Sequence, residues 1–281
     1  MTTQFDPIQY KITTKANWNT VASDYHYNWA EKQIGPFKST TELVREADIR
    51  SADNVLDLAC GTGVVAKEVS RHLGKDGALV GIDLSRTALG IAKKSIQFSN
   101  AIFIEMDAEN IGFNFKFDKV LCQYALMFFP NVQKVLRSVK QVMKSGANIV
   151  LAVHGTPAEV PYFSAIMNPI LTYIPDIRAE GTPTVHRFGK PIDLQNELLD
   201  AGFSNISIKK YNFSYDAGTF EEYWYDYMRS TANSIRTKID SQRANMILTI
   251  KQESQKNVLK YIKNGKITFP WAILLSSANT V

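Results

Sequence analysis

The chain has 281 residues, of which 45% are hydrophobic and 21% charged, with a formal net charge of +5. That balance is globular rather than disordered, and the length suffices for one elaborated α/β domain or a domain with a smaller cap. No repeat period suggests a solenoid, and no run reaches the ~18 uncharged apolar residues of a spanning helix.

The start, Met1-Thr2-Thr3-Gln4-Phe5-Asp6-Pro7, lacks the basic and apolar regions of a signal peptide, so a cytoplasmic protein is expected. The two cysteines, Cys60 and Cys122, each end an apolar run. Buried free thiols are therefore expected, with neither a disulfide nor a structural metal. Residues 204–281 hold 11 basic and 6 acidic side chains, so the whole charge excess falls in the last quarter. A solvated basic helical face explains this, as does contact with an acidic substrate or an anionic membrane surface; the clustering is too sparse for nucleic acid.

In chain order, Trp18, Ala22, Tyr25 and Trp29 recur at helical spacing on one face, and a second helix is expected from about Lys38 to Ile49. The first strand is Asn54–Leu58. A helix from about Val64 to Leu73 stops at Gly74, and Lys75-Asp76-Gly77 turns into the second strand, Ala78–Ile82. Ser85 caps the next helix, in which Gly90 costs about 1 kcal/mol relative to Ala. The third strand is Ala101–Glu105 and the fourth Lys119–Cys122. A helix over Val132–Met143 and a Lys144-Ser145-Gly146-Ala147 turn lead to the fifth strand, Asn148–Val153.

Strands alternating with helices predict a doubly wound parallel sheet whose ligands lie at the carboxyl ends of its strands. After His154 a segment with Pro157, Pro161, Pro169, Pro175 and Pro183 reads as an excursion over that face. A helix over Pro191–Ala201 follows, then a strand at Ser204–Phe213 and a last strand at Lys266–Leu275. The roughly 50 residues between these two strands are too many for a plain loop. A helical lid is expected there, with Phe220, Tyr223, Trp224, Tyr227 and Met228 on its apolar face.

The most informative stretch is Asp57-Leu58-Ala59-Cys60-Gly61-Thr62-Gly63-Val64-Val65-Ala66, a strand breaking into small residues before a helix. Gly61-Thr62-Gly63-Val64-Val65-Ala66 fits the G-x-G-x-x-A dinucleotide fingerprint, with Asp83 near the expected ~20 residues downstream, so a nicotinamide or flavin enzyme is one reading. Asp57 opposes it, because an acid inside the strand sits badly beside a pyrophosphate. An amine-bearing ligand suits Asp57, and Asp83 and Asp107 fall after the next two strands. A nucleoside carrying an amino acid fits all three: Asp57 near its ammonium, Asp83 on the ribose hydroxyls, and Asp107 with the Ala108 amide at the adenine edge. That ligand is S-adenosylmethionine.

With Asp57–Gly63 as motif I, Gly81-Ile82-Asp83 as motif II and Met106-Asp107-Ala108-Glu109 as motif III, the sequence resembles the class I S-adenosylmethionine-dependent methyltransferases. The segment Gln123-Tyr124-Ala125-Leu126-Met127-Phe128-Phe129-Pro130-Asn131 resembles small-molecule members related to the ubiquinone and menaquinone C-methylating enzymes. The resemblance implies a Rossmann-like seven-stranded sheet of order 3-2-1-4-5-7-6. It divides the chain into an amino-terminal helical cap (1–52), a core (53–218 and 264–281) and a lid (219–263). It also implies cofactor contacts from Asp57, Ala59, Gly61, Thr62, Gly63, Asp83, Leu84, Asp107, Ala108, Gln123 and Tyr25. Ala59 stands where the usual motif has its first glycine, and Lys144-Ser145-Gly146-Ala147 replaces the relatives' Lys-Pro-Gly-Gly turn.

The Asn/Asp-Pro-Pro-Tyr motif of base-directed enzymes is missing, and Cys122 lacks the Pro-Cys context suited to pyrimidine attack. A small-molecule methyl acceptor, apolar or aromatic, is therefore expected. Methyl transfer from a sulfonium needs alignment and exclusion of water, and a general base only when the acceptor must lose a proton. His154 after the fifth strand and Tyr124 are the catalytic candidates, with His186 and His26 as further histidines. Each has an ordinary structural alternative, as do Tyr25 and Trp29, which either close over the cofactor or belong to the core. Asp118 reads as a solvated turn residue. A protein that binds the cofactor without transferring its methyl is the remaining alternative.

Overall fold

The computed structural model describes residues 4–281; residues 1–3, with which the predicted cap begins, lie outside them. Helix α1 (Pro7–Tyr25) starts where the Asp6 carboxylate accepts from the Ile8 and Gln9 amides, with Pro7 in the first turn where no amide is needed. A single π-helical turn (His26–Ala30) and a 3₁₀ turn (Gly35–Ser39) lead into α2 (Thr40–Ala47).

The alternating core then runs β1 (Asn54–Leu58), α3 (Val64–Val69), β2 (Ala78–Asp83), α4 (Arg86–Ser95), β3 (Ala101–Glu105) and β4 (Phe117–Gln123). It continues through α5 (Val132–Gln141), β5 (Met143–His154), α6 (Pro161–Tyr173) and α7 (Pro191–Asp200). Four successive residues of β1 and the last six of β5 are buried, so both faces of the central sheet are covered, as a doubly wound fold requires. β1 to β5 pair in parallel in the order β3-β2-β1-β4-β5.

The chain closes with β6 (Phe203–Gly218), α8 (Phe220–Asp226), a second π-helical turn (Tyr227–Thr231), α9 (Asn233–Asp240), α10 (Ala244–Val258), β7 (Ile262–Lys263) and β8 (Lys266–Thr280). β8 enters antiparallel between β5 and β6, which gives the expected order of seven long strands. The two-residue β7, a hairpin partner of β8, is an eighth strand not anticipated.

Three local expectations need correction. Lys144–Ala147 is no turn but part of β5, where Gly146 at φ +72° forms a bulge that shifts the register against β4. Asp118 accepts from the Asn54 amide at 2.9 Å and pairs with Lys144 at 2.7 Å, so it ties three strands together at the sheet's far end rather than standing in solvent. The proline-rich excursion contains a 13-residue helix, α6, which tolerates Pro161 in its first turn and carries Pro169 inside.

The segment between β6 and β8 is helical, and Phe220, Tyr223, Tyr227 and Met228 are buried with Trp224 half-buried beside them. Its position is fixed by polar contacts as well as by packing. The Tyr223 and Tyr227 hydroxyls donate to the Tyr162 and Phe163 carbonyls of α6 at 2.5 and 3.1 Å. Arg229 pairs with Asp24, and Asn233 donates to Asn17 at 2.7 Å, both on α1. α1, α6 and this insertion thus converge over the carboxyl ends of the strands. Among the described residues no helix is long and apolar enough to cross a membrane.

Candidate active site

Motif I forms the floor of the site. Ala59 and Gly61 both take left-handed backbone, at φ +53° each, and a side chain on Gly61 would meet nothing within 4 Å, because that glycine opens on a cavity. Gly63, at φ +87°, has the opposite reason for its size: a Cβ there would lie 2.7 Å from Ile96 Cδ1 and 3.1 Å from the Ala92 Cβ of α4. Gly61 thus faces the cavity, and Gly63 serves the packing of α3 against α4.

The cavity holds about 1140 Å³ of free space, counting its open mouth, and Asp57, Asp83 and Asp107 all line it. Asp57 is 1% exposed, and one carboxylate oxygen accepts from the Ala66 amide in the first turn of α3 at 3.0 Å. Burial raises its pKa to about 8, with Asp83 adding to the rise and the Ala66 hydrogen bond opposing it. Asp83 is also raised by burial, against hydrogen bonds from the Ser85 and Gly61 amides at 2.8 and 2.9 Å. Asp107 differs, because burial is outweighed by Lys11, whose ammonium lies 2.8 Å away, and its carboxyl sits below the usual range. The site therefore holds two carboxyls poised to gain a cationic partner and one that already has one.

Ala59, Gly61, Thr62, Leu84, Gln123 and Tyr25 line the same cavity. Gly63 and Ala108 do not, although Ala108 is buried directly after Asp107. Gln123 is held at both ends of its amide, donating to Ser39 Oγ and accepting from Thr40 Oγ1 at 3.2 Å each. Thr62 meets His26 at 2.9 Å, so that histidine buttresses motif I from the first π-helical turn.

A second cavity, about 1650 Å³ counting its mouth, adjoins the first, and Tyr10, Trp18, Tyr25, Tyr124 and Phe128 line both. Tyr124, at φ +56°, stacks its ring on His154 with centroids 4.5 Å apart. Its hydroxyl donates to the Pro36 carbonyl at 2.9 Å and meets Ser39 Oγ at 2.6 Å, and burial pushes the phenol far up. His154 is buried, and its Nδ1 accepts from the Trp271 indole at 3.3 Å. An indole only donates, so the neutral ring carries its proton on Nε2. Burial, helped by His186, lowers the His154 pKa to about 3. His186 donates Nδ1–H to the Gly155 carbonyl at 2.7 Å. Trp29 joins the wall of the second cavity and also stacks on Tyr215, so it is both core and lining.

Sequence reasoning missed the part of α1 before Trp18 and the polar contact made by Asn19. Lys11 pairs with Asp107 and, at 2.7 Å, with Glu109; Lys15 pairs with Glu105; and the Asn19 amide oxygen accepts from Ser85 Oγ at 2.9 Å. The signal was available, because Lys11, Lys15, Trp18, Ala22 and Tyr25 continue a single stripe at spacings of four, three, four and three.

Residues 49–181 match the family model described as a methyltransferase domain. Over these residues, a little under half of the chain, it is similar to a methyltransferase domain. Over 123 residues, 42% of the chain, it is 30% identical to the ubiquinone/menaquinone biosynthesis C-methyltransferase UbiE of Coxiella burnetii, and it spans about half, 49%, of that relative's length. It is 23% identical over 205 residues to a demethylmenaquinone methyltransferase of Staphylococcus saprophyticus, which covers 69% of this chain and 84% of that protein. The structure of Haemonchus contortus phosphoethanolamine N-methyltransferase 2 in complex with S-adenosyl-L-methionine superposes with a TM-score of 0.56 at 13% identity, over 94% of this chain and 57% of that one. At that identity the likeness is one of fold. The matched residues end before α7, so the insertion between β6 and β8 that helps wall the second cavity lies outside them.

Six of the eleven cations of the last quarter are ion-paired within the fold. Lys209, Lys210, Arg229, Arg236, Lys251 and Lys256 each pair with a carboxylate. Both cysteines are buried and free, and no group of residues suited to a metal ion occurs among the described residues.

Proposed function

We propose that the chain is an S-adenosylmethionine-dependent methyltransferase acting on a small acceptor with an apolar or aromatic body. The observation that carries this reading is the gathering of Asp57, Asp83 and Asp107 on one cavity that opens, past Tyr25, Tyr124 and Phe128, into an aromatic second cavity. Asp57 suits the cofactor's ammonium, since a buried carboxyl with a raised pKa gains most from a cation. Asp83 suits the ribose hydroxyls and Asp107 the adenine edge, with Ala59, Gly61, Thr62, Leu84, Gln123 and Tyr25 around them and the buried Ala108 next to Asp107 in the chain. S-adenosylmethionine supplies a methyl group on a positively charged sulfur, a leaving group that is already activated. The protein's part is then alignment and exclusion of water, the task of α1 and the helical insertion, which we read as a lid.

Neither Tyr124 nor His154 is a strong base in this setting, one being a phenol raised by burial and the other an imidazole lowered to about 3. The acceptor must therefore arrive with a nucleophilic atom already free or easily deprotonated, as an enol or a phenol is. In this reading Tyr124 and His154 form the wall against which the acceptor lies, with the His154 Nε2–H as a donor. The names of the quinone-methylating relatives support a quinone-like acceptor, and so do the aromatic walls.

Incubation with methyl-labelled S-adenosylmethionine and extracted metabolites tests the proposal. Label is expected in a small-molecule fraction, most informatively the quinone or lipid fraction. Saturable binding of NAD(P)H in place of S-adenosylmethionine would favour an oxidoreductase, and cofactor binding without any labelled product would leave a binding protein.

A further inference from the structure

The two cavities differ in their charged lining. The first is lined by Asp57, Asp83 and Asp107 together with Lys11 and Lys15, whereas the second has no acidic residue in its lining but two cations, Arg178 and Lys238. Neither cation pairs with a carboxylate among the described residues. What sets these two apart is that both line one cavity that has no acid in its wall.

Their placement is local and coherent. Arg178 follows the buried Ile177 in the loop after α6, and Lys238 of α9 donates to the Ile177 carbonyl at 3.4 Å, which brings both charges to one end of the cavity. Ser234 lies one helical turn before Lys238 on the same face and lines the cavity with it, whereas the Ser230 hydroxyl donates to the Asp226 carbonyl at 2.6 Å. Arg178 is half-buried and lines the cavity together with Tyr10. The rings of Tyr124, His154, Phe163 and Trp271 wall another part of the cavity, and Tyr124 also lines the first.

We infer that the methyl acceptor carries an anionic oxygen group, a carboxylate or phosphate ester, which Arg178 and Lys238 hold at one end of the second cavity while its apolar or aromatic body lies against Tyr124, His154 and Trp271. This rests on reading the first cavity as the cofactor site, and it narrows the acceptor beyond a neutral quinone. A guanidinium presents paired donors to such a group, and a half-buried cation with no carboxylate partner gains from one. The acid-free lining serves specificity as well, since it leaves nothing to repel an anion. Arg178 and Lys238 act here as specificity residues remote from the transferred methyl.

Calorimetric titration of the full chain, without cofactor, with 2-naphthoate, 2-naphthyl phosphate and the neutral 2-naphthamide tests the inference. At least one anion is expected to bind about tenfold or more tightly than the amide, and the stronger of the two identifies the group. Arg178→Gln is expected to weaken that anion by roughly ten- to hundredfold, the loss of a charge-assisted hydrogen bond, and to leave the amide within about threefold. Lys238→Gln should act in the same direction more weakly. Unchanged amide binding shows that the variants remain folded. Equal binding of acid and amide by the native protein, absence of anion binding at millimolar concentration, or equal loss of both ligands in Arg178→Gln overturns the inference. A parallel titration with S-adenosylmethionine keeps the two readings apart: its failure removes the proposed function, whereas anion selectivity lost on Arg178→Gln is a property of the second cavity alone.

Discussion

Asp57→Asn separates what the buried carboxylate does for stability from what it does for binding. In the unfolded chain an aspartate titrates near its ordinary value of 3.8, whereas in the fold burial raises Asp57 to about 8. The folded state therefore holds a proton that the unfolded state has released, and between these values stability falls as pH rises. At 1.36 kcal/mol per unit, the penalty at pH 7 is on the order of 4 kcal/mol, and it vanishes below the unfolded value. Asparagine keeps the oxygen that accepts from the Ala66 amide and has no charge to bury. The variant should then be more stable than the native protein by a few kcal/mol at pH 7 to 8, with the difference closing toward pH 4, as read by urea unfolding across that range. Binding moves the other way. A ligand ammonium must find Asp57 ionised, so native affinity for S-adenosylmethionine should rise about tenfold per unit between pH 5.5 and 7.5, with close to one proton released at pH 7. Calorimetry in buffers of different ionisation enthalpy counts that proton. Affinity independent of pH in the native protein, or an Asp57→Asn variant whose stability relative to native is no greater at pH 8 than at pH 4, would show that Asp57 is not the buried, proton-holding group described above.

Other perturbations follow from the same geometry. Asp83→Ala removes the acceptor for the Gly61 and Ser85 amides as well as the proposed ribose contact, and should weaken S-adenosylmethionine by at least ~10-fold in the same titration. Gly63→Ala forces a Cβ against Ile96 and Ala92 in left-handed backbone and should cost roughly 2 kcal/mol in urea unfolding. Lys11→Met removes the pairs to Asp107 and Glu109; the side chains are partly exposed, so global stability should change by less than ~1 kcal/mol, while amide exchange in the first turns of α1 accelerates. Burial raises both thiols, Cys122 to about 12, so the native protein should resist a thiol reagent that modifies two cysteines after unfolding.

Much of the sheet was legible because its signals are local. An apolar run such as Val55–Leu58 ending at a small-residue turn has one sensible reading, and three acids after three strands fall at the same end of any doubly wound sheet. What was not legible depends on partners distant in sequence. Lys11 looks like any helical lysine until it meets Asp107, 96 positions away. Arg178 lies in a stretch whose prolines suggested an irregular loop, and Pro161 and Pro169 concealed the helix that precedes it. Gly146 signals a break, yet whether a break is a turn or a bulge depends on the strand beside it. Tyr124 and His154 were singled out from their positions, but their basicity is set by burial and by Ser39 and Trp271, which no spacing reveals.

Reading the second cavity as a methyl-acceptor site depends on the first one binding S-adenosylmethionine through the carboxylates at or just past the ends of successive strands. Calorimetric titration of that cofactor into the native protein and into Asp83→Ala probes this dependence without any knowledge of the acceptor. Saturable binding at a single site is expected in the native protein, with loss or strong weakening in the variant. Absence of binding at millimolar cofactor, or an Asp83→Ala variant that binds like the native protein, would rule the assignment out.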